Sequence, residues 1–324
     1  MITSDHICVQ PVHDDLLLQH DVSLRLVRFD LAHPMVGGNK WYKLQQNLML
    51  AREQGATRLL SFGGAYSNHI YALAAAGAES GFDTCGVIRG ELVTPLNATL
   101  AFARARGMQL IPVSRTDYRR RSDQDFVDEL RQLYGPFYLI PEGGANEAGV
   151  RGCQAMATQL AARVPDLDNC EIALACGTGT TLAGLLSGLR LLRRSRLSSL
   201  PPSVLTPQTA VPRPFVRGIA VLKGADFLRA DINSWLARLD SSTTDQDWCL
   251  ETAYHGGGYA RAGQDLLDFV ANFQRMHDIP LEPVYTGKLL QALYKRIAAG
   301  LYAPGSRLLA LHTGGLRPAA DAVW

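Results

Sequence analysis

Short apolar runs alternate with longer stretches of helical periodicity along this chain of 324 residues. Thr57–Gly64 (TRLLSFGG), Thr84–Gly90, Met108–Ser114 and Phe137–Gly144 are compact and apolar, the pattern of buried strands. Between them lie Tyr71–Gly81 (YALAAAGAESG) and Leu96–Gly107, helical patterns each closed by a glycine, and a further helix around Asp123–Tyr134. The alternation resumes after Gly144. A helical pattern covers Gly149–Val164, and Glu171–Thr181 is a strand running into a glycine turn. A helix then extends through Leu192, and Phe215–Gly224 and Arg307–Gly315 read as strands. Repeated β-α-β-α builds parallel sheets covered by helices. The expected fold class is α/β, with two open, twisted, mostly parallel sheets flanked by helices. One unit is centred on Lys43–Gly144 and another follows it, while the strand Ser23–Asp30 fits either by pattern alone. Leu197–Pro214, rich in Pro, Ser and Thr, reads as an exposed loop of the second sheet.

Length and composition narrow the picture. The chain is too long for one comfortable core, and its 47% apolar and 19% charged content is that of a folded globular protein. A formal net charge of +2 does not argue for nucleic acid, and the basic clusters Tyr118–Asp123 and Leu191–Ser199 read as solvated helix ends. No apolar run approaches the roughly 18 residues of a membrane span, and the first residues lack a basic start followed by an apolar stretch. The six cysteines are scattered without CxxC spacing, and the histidines form no HExxH pair. A cytoplasmic protein without a metal site or a membrane partner is therefore expected.

Ligands of open parallel sheets bind at the carboxyl ends of strands, and glycine turns stand there at SFGGAYSNH, ACGTGTTLAG and ALHTGGLRP. The middle turn joins free backbone N–H groups to the hydroxyls of Thr178, Thr180 and Thr181 just before a helix, and a phosphate monoester suits it. A tight turn with threonine caps is the plainer reading. A dinucleotide site is disfavoured, because Gly184 is displaced from the GxGxxG pattern and no acidic residue follows at the required range. In GGAYSNH, Ser67 and Asn68 are either helix caps or, with free N–H groups, holders of a carboxylate. GGNKWYK (Gly37–Lys43) contains two of the chain's five lysines. Lys40 stands where a helix begins, a position unfavourable to a cation but suited to an amine that must lose its proton and react. Lys43, one turn on, is better placed to meet an anion. Both are otherwise ordinary surface lysines. A phosphate cradle, a reactive lysine and a carboxylate-binding turn together suggest pyridoxal 5′-phosphate acting on a small amino acid.

These motifs, in this order from about Leu24 to about Pro318, resemble the 1-aminocyclopropane-1-carboxylate deaminase and D-cysteine desulfhydrase family of pyridoxal-phosphate enzymes. That family has the tryptophan-synthase β-like fold, fold type II. The resemblance implies a larger cofactor-binding domain of residues 1–42 and 145–324 and a smaller one of residues 43–144. GGNKWYKL resembles the family's GGNKxRKL, which assigns Lys40 to the cofactor bond and puts Tyr42 where the family has arginine. GGAYSNH implies that Ser67 contacts substrate, that Asn68 bonds the cofactor's ring hydroxyl and that His69 lies in the substrate site. GTGTTLAG implicates Thr178, Gly179, Thr180 and Thr181 in phosphate binding. GGGYARAG and LEPVYTGK align Tyr259 and Tyr285 with the family's active-site tyrosines. Thr286 stands where ring-opening deaminases have glutamate, as in the desulfhydrase branch. The resemblance implies a homodimer that releases a 2-oxo acid and ammonia by β-elimination. Ring opening of 1-aminocyclopropane-1-carboxylate is the alternative, and an inactive sensor that binds the cofactor or an amino acid is the reading from another class.

Overall fold

A computed structural model of the chain describes residues 6–198, 214–239 and 247–316. Among them the strands are β1 (Val9–Val12), β2 (Val22–Val27), β3 (Arg58–Gly63), β4 (Asp83–Arg89), β5 (Gln109–Val113), β6 (Tyr138–Ile140), β7 (Glu171–Cys176), β8 (Phe215–Ala220), β9 (Trp248–Glu251) and β10 (Ser306–Leu311). The backbone divides into two compact units. One is His33–Gly152, and the other joins the segment ending at Ala32 to the segment Cys153–Leu316.

In the smaller unit, strands lie in the order β5-β4-β3-β6, all parallel. Successive side chains of a strand point to opposite faces, so the run RLLSFG serves two cores. Leu59 joins Leu48, Ile70 and Leu73 on one face, while Leu60 and Phe62 join Tyr118, Phe126 and Leu130 on the other. Burial on both faces is why this strand reads as a continuous apolar run rather than an alternating one.

The larger unit has the order β1-β2-β10-β7-β8-β9. β1 is antiparallel to β2, and the other pairings are parallel. One face packs Leu24, Leu26, Ala173 and Ala310 against Leu289, Leu290 and Leu293 of the helix Thr286–Ala298. The strand near Ser23–Asp30 thus belongs to this unit, beside β10.

Some elements escape the apolar pattern. β1 carries Pro11 on an edge strand, and β9 is a short edge strand with a partly buried Cys249 and Glu251. The helices Asp15–Gln19, Phe227–Leu239 and Gln264–His277 are likewise not among the elements expected above, although Leu266 and Phe273 of the last recur at helical spacing. The unit boundaries fall outside the expected 43 and 144. The helix Gly38–Glu53 forms as one hydrogen-bonded body, and its Leu44, Leu48 and Ala51 are buried with Leu59 and Leu73. Lys40 therefore belongs to the smaller unit, not to the larger one as a boundary at residue 42 would have it. Most of the expected loop Leu197–Pro214, residues 199–213, lies outside the described residues. Leu197 and Ser198 close the helix Thr180–Ser198. No helix among the described residues is long and apolar enough to cross a membrane.

Candidate active site

Two glycines begin the lysine turn of the smaller unit. Gly37 (φ +46°) and Gly38 (φ +61°) lie in the left-handed region, which lets the chain enter the helix Gly38–Glu53 abruptly. Lys40 sits in the first turn of that helix, which contains no acidic residue, and its Nζ lies 3.4 Å from Asn39 Oδ1. The approach to this turn is organised by His33. Its Nδ1 accepts from the backbone N–H of Met35 (3.2 Å) and Val36 (3.1 Å). The ring proton is thereby left on Nε2, which lies 3.1 Å from Glu79 Oε2. Trp41 stacks on the His33 ring with centroids 4.3 Å apart.

Tyr42 and Lys43 are both buried. The Tyr42 carbonyl abuts Gly152, where a Cβ would lie 2.0 Å from it. Lys43 Nζ donates to the Gly143 carbonyl at 3.2 Å. Lys43 is therefore not a solvated surface charge but a tie between its helix and the turn Glu142–Gly144.

The second turn of this unit follows β3. A Cβ on Gly63 would lie 2.5 Å from Ile70 Cγ1 and 2.7 Å from Ser67 Oγ, so only glycine permits the close return of the chain. Ser67 caps the helix Asn68–Ser80, its Oγ accepting from the N–H of His69 (3.2 Å) and Ile70 (3.3 Å). His69 is buried, with Nε2 2.9 Å from Ser61 Oγ, and no described residue bonds its Nδ1. Burial holds its pKa well below the usual 6.5, and the positive charges of Lys40 and Lys43 push the same way. The structure thus brings Lys40, Lys43 and His69 into one electrostatic neighbourhood. Gly144 adjoins two of them, since a Cβ there would lie 3.3 Å from Lys43 Cβ and 3.6 Å from His69 Cε1.

The larger unit carries the threonine turn. Gly179 has φ +70°, and a Cβ on it would meet Ile232 Cγ1 at 2.7 Å. Thr178 and Thr180 share a hydroxyl–hydroxyl bond of 2.9 Å, and Thr180 and Thr181 are buried in the first turn of the helix Thr180–Ser198. The first N–H groups of a helix have no partner within it. Tyr285 packs beside this turn, with its Cε1 3.2 Å from the position of a Cβ on Gly177. Its hydroxyl lies 3.2 Å from the hydroxyl of Tyr259, and the two rings meet edge to face. Thr286 is fully buried, and no described residue bonds its Oγ1.

Sequence reasoning passed over Glu282 and Lys288, although both lie inside the LEPVYTGK motif. Glu282 is buried, and its carboxylate accepts from the N–H of Val284 (2.7 Å), Tyr285 (2.9 Å) and Thr286 (2.5 Å). It fixes the backbone on which Tyr285 and Thr286 stand. His312 was passed over too. It is buried at the end of β10, with Nε2 2.9 Å from the Pro280 carbonyl and Nδ1 3.6 Å from Asp30. Nothing in the spacing of these residues announces that they are buried. A charged residue within a motif of otherwise apolar and glycine positions is the one signal available.

Pyridoxal 5′-phosphate fits the residues present. A turn that excludes a Cβ at Gly179 and adds threonine hydroxyls to helix N–H groups suits its phosphate. The unpartnered hydroxyl of Thr286 calls for a polar atom, as buried polar groups do. In the smaller unit, Lys40 offers an amine at a helix N-terminus.

Comparison with known proteins agrees. The chain is 26% identical over 320 residues to the mitochondrial bifunctional D-cysteine desulfhydrase/1-aminocyclopropane-1-carboxylate deaminase of Arabidopsis thaliana, covering 94% of this chain and 75% of that protein. It is 28% identical over 293 residues to the 1-aminocyclopropane-1-carboxylate deaminase of Burkholderia cenocepacia, covering 86% and 82%. The crystal structure of a deaminase homologue of the same kind superposes with a TM-score of 0.79 at 24% identity, covering 98% of this chain and 91% of that one, and shares its fold. The family model described as pyridoxal-phosphate dependent enzyme matches residues 11–314, nearly the whole of the described chain. On that match the chain belongs to the pyridoxal-phosphate dependent enzymes.

Proposed function

We propose that this enzyme is a deaminating lyase for a small amino acid. The reaction is β-elimination of the D-cysteine desulfhydrase kind, in which D-cysteine and water give pyruvate, hydrogen sulfide and ammonia. The observation that carries this reading is Thr286, a buried hydroxyl at the position where, by the resemblance of LEPVYTGK to the family motif, ring-opening deaminases have a carboxylate. Pyridoxal 5′-phosphate, when bound, supplies an electron-withdrawing ring that delocalises the charge left on a substrate's α-carbon. A carboxylate at residue 286 would hold the ring nitrogen protonated and strengthen that withdrawal. A hydroxyl supports it less, which suits loss of a good leaving group better than opening of a cyclopropane.

The chain's own residues have the following roles in this reading. Lys40 carries the cofactor and takes the proton from the substrate's α-carbon at Nζ. Lys43 adds positive charge beside it. Ser67, Asn68 and His69, at the start of one helix, receive the substrate's carboxylate, and Asn68 also bonds the cofactor's ring hydroxyl. Thr178, Gly179, Thr180 and Thr181 hold the phosphate. Tyr259 and Tyr285, with hydroxyls 3.2 Å apart, move a proton toward the departing thiolate.

Ring opening of 1-aminocyclopropane-1-carboxylate is the second reading, supported by the names of the similar proteins. A panel of D- and L-amino acids with 1-aminocyclopropane-1-carboxylate, read by 2-oxo acid release, separates the two. D-cysteine is expected to react fastest, and preferential ring opening would replace the first reading with the second. No release from any of them would favour a binding protein. For the lysine, Lys40→Ala is expected to abolish borohydride fixation of the cofactor to the chain, and fixation that persists in this variant would refute the assignment. The reading extends to a homodimer in the cytoplasm, consistent with six free cysteines; a monomer mass in solution would exclude the dimer.

A further inference from the structure

The loop carrying Tyr259 has an unusual backbone, closed by bonds of its own from Gly257 N–H to His255 Nδ1 and from Gly258 N–H to the His255 carbonyl. Gly256 (φ +59°), Gly257 (φ +88°), Gly258 (φ +130°) and Ala260 (φ +54°) all have positive φ. Ala260 is not glycine and is strained there. The loop forms no sheet ladder, and Tyr259 is about half exposed, at 48%. What anchors the loop is a lysine from the helix Thr286–Ala298. Lys288 is 1% exposed, and its Nζ donates to the Gly258 carbonyl at 2.6 Å. The same carbonyl accepts from Arg261 N–H at 3.3 Å, so both of its lone pairs are engaged. The lysine stem runs close beneath Gly256, where a Cβ would meet Lys288 Cε at 3.2 Å. At the other end of the LEPVYTGK motif, Glu282 binds the N–H groups of Tyr285 and Thr286.

We propose that Lys288 is a positioning residue, an internal latch that pins the glycine loop to the helix and so sets the hydroxyl of Tyr259 against that of Tyr285. Its place within the fold supports the role, because it lies one helical turn from Tyr285 and bonds the carbonyl immediately before Tyr259. Burial lowers the pKa of Lys288 from its ordinary value, and the neighbouring Glu282 opposes that shift. In this role Lys288 acts through the backbone, at the Gly258 carbonyl. The proposal rests on the reading of Tyr259 and Tyr285 as proton-moving groups.

The test uses Lys288→Met, which keeps the apolar stem and removes the donor. In the cofactor-free protein, trypsin is expected to cut the Arg261–Ala262 bond at least about tenfold faster than in the unaltered chain, because local opening governs such cleavage. Cleavage within twofold of the unaltered rate overturns the latch. With D-cysteine as substrate, Lys288→Met is expected to lower kcat about tenfold, but less than twofold in a Tyr259→Phe background, since the effect passes through that hydroxyl. An equal loss in both backgrounds overturns the positioning role. Unchanged kcat in Tyr259→Phe alone overturns the reading of Tyr259, and the trypsin rate then decides the latch by itself. Should Lys288→Met not fold, amide exchange in the unaltered chain takes its place. The N–H groups of Gly258 and Arg261 are expected to exchange at least about a hundredfold more slowly than free peptide, and free-peptide rates overturn the latch.

Discussion

At the scale of single residues, burial separates side chains that look alike in the sequence. Lys40 and Lys43 are three positions apart in one motif. One stands in the first turn of a helix beside Asn39, and the other is buried and bonded to the Gly143 carbonyl. The two aromatics between them divide in the same way. Trp41 stacks on His33, and Tyr42 fills the core where the family pattern has a basic side chain. Thr286 yields a prediction of its own. Its hydroxyl is buried without a described partner, and such a group costs stability unless something binds it. Thr286→Val is therefore expected to leave the cofactor-free protein as stable or slightly more stable, while weakening cofactor affinity several-fold. Thermal melts with and without cofactor measure both effects. A loss of more than about 2 kcal/mol in the cofactor-free form, the upper range for a lost buried hydrogen bond, would mean that the hydroxyl already has a partner.

Elements position these residues through their ends. The turn after β3 puts a glycine where the chain must return without a Cβ and a hydroxyl where helix N–H groups need a partner. Ser67 shows this most directly, since one oxygen accepts from both His69 and Ile70. Ser67→Ala is expected to cost about 1 kcal/mol, the usual worth of such a cap, with the transition midpoint in urea moving down accordingly. Ser67→Thr is expected to retain most of the stability, and an unchanged midpoint in the alanine variant would show that the cap is dispensable. The glycine turns were legible in the sequence because glycine, serine and threonine cluster at strand ends for local reasons. The anchors of those turns were not legible. His33, Glu282 and Lys288 stabilise backbone through bonds whose geometry exists only once the chain has folded.

For the whole molecule, three buried histidines and the partly buried His277 shape the response to acid. His33, His69, His277 and His312 all have pKa values below 6.5, with burial the largest cause in each. Above 6.5 neither the folded nor the unfolded chain protonates them. As pH falls below 6.5 the unfolded chain takes up protons that the folded chain does not, so stability declines. Glu282 works in the opposite sense. Burial pushes its pKa up to about 7 from 4.5, so its contribution is present at low pH and lost as pH rises toward 7. Four groups against one lead to the expectation that the apparent melting midpoint is several degrees lower at pH 5.5 than at pH 7.5. An equal or higher midpoint at pH 5.5 would contradict it. By itself, the sequence determined the α/β class, the parallel sheets, the glycine turns and the cofactor family, because periodicity and turn chemistry are local and short motifs record them. Tertiary structure decided that the helix bearing Lys40 belongs wholly to the smaller unit, that Lys43, Tyr42 and His69 are buried, and that a lysine far along the chain holds the loop of Tyr259. Burial and long-range bonding depend on which surfaces meet, and spacing along a chain does not encode that locally.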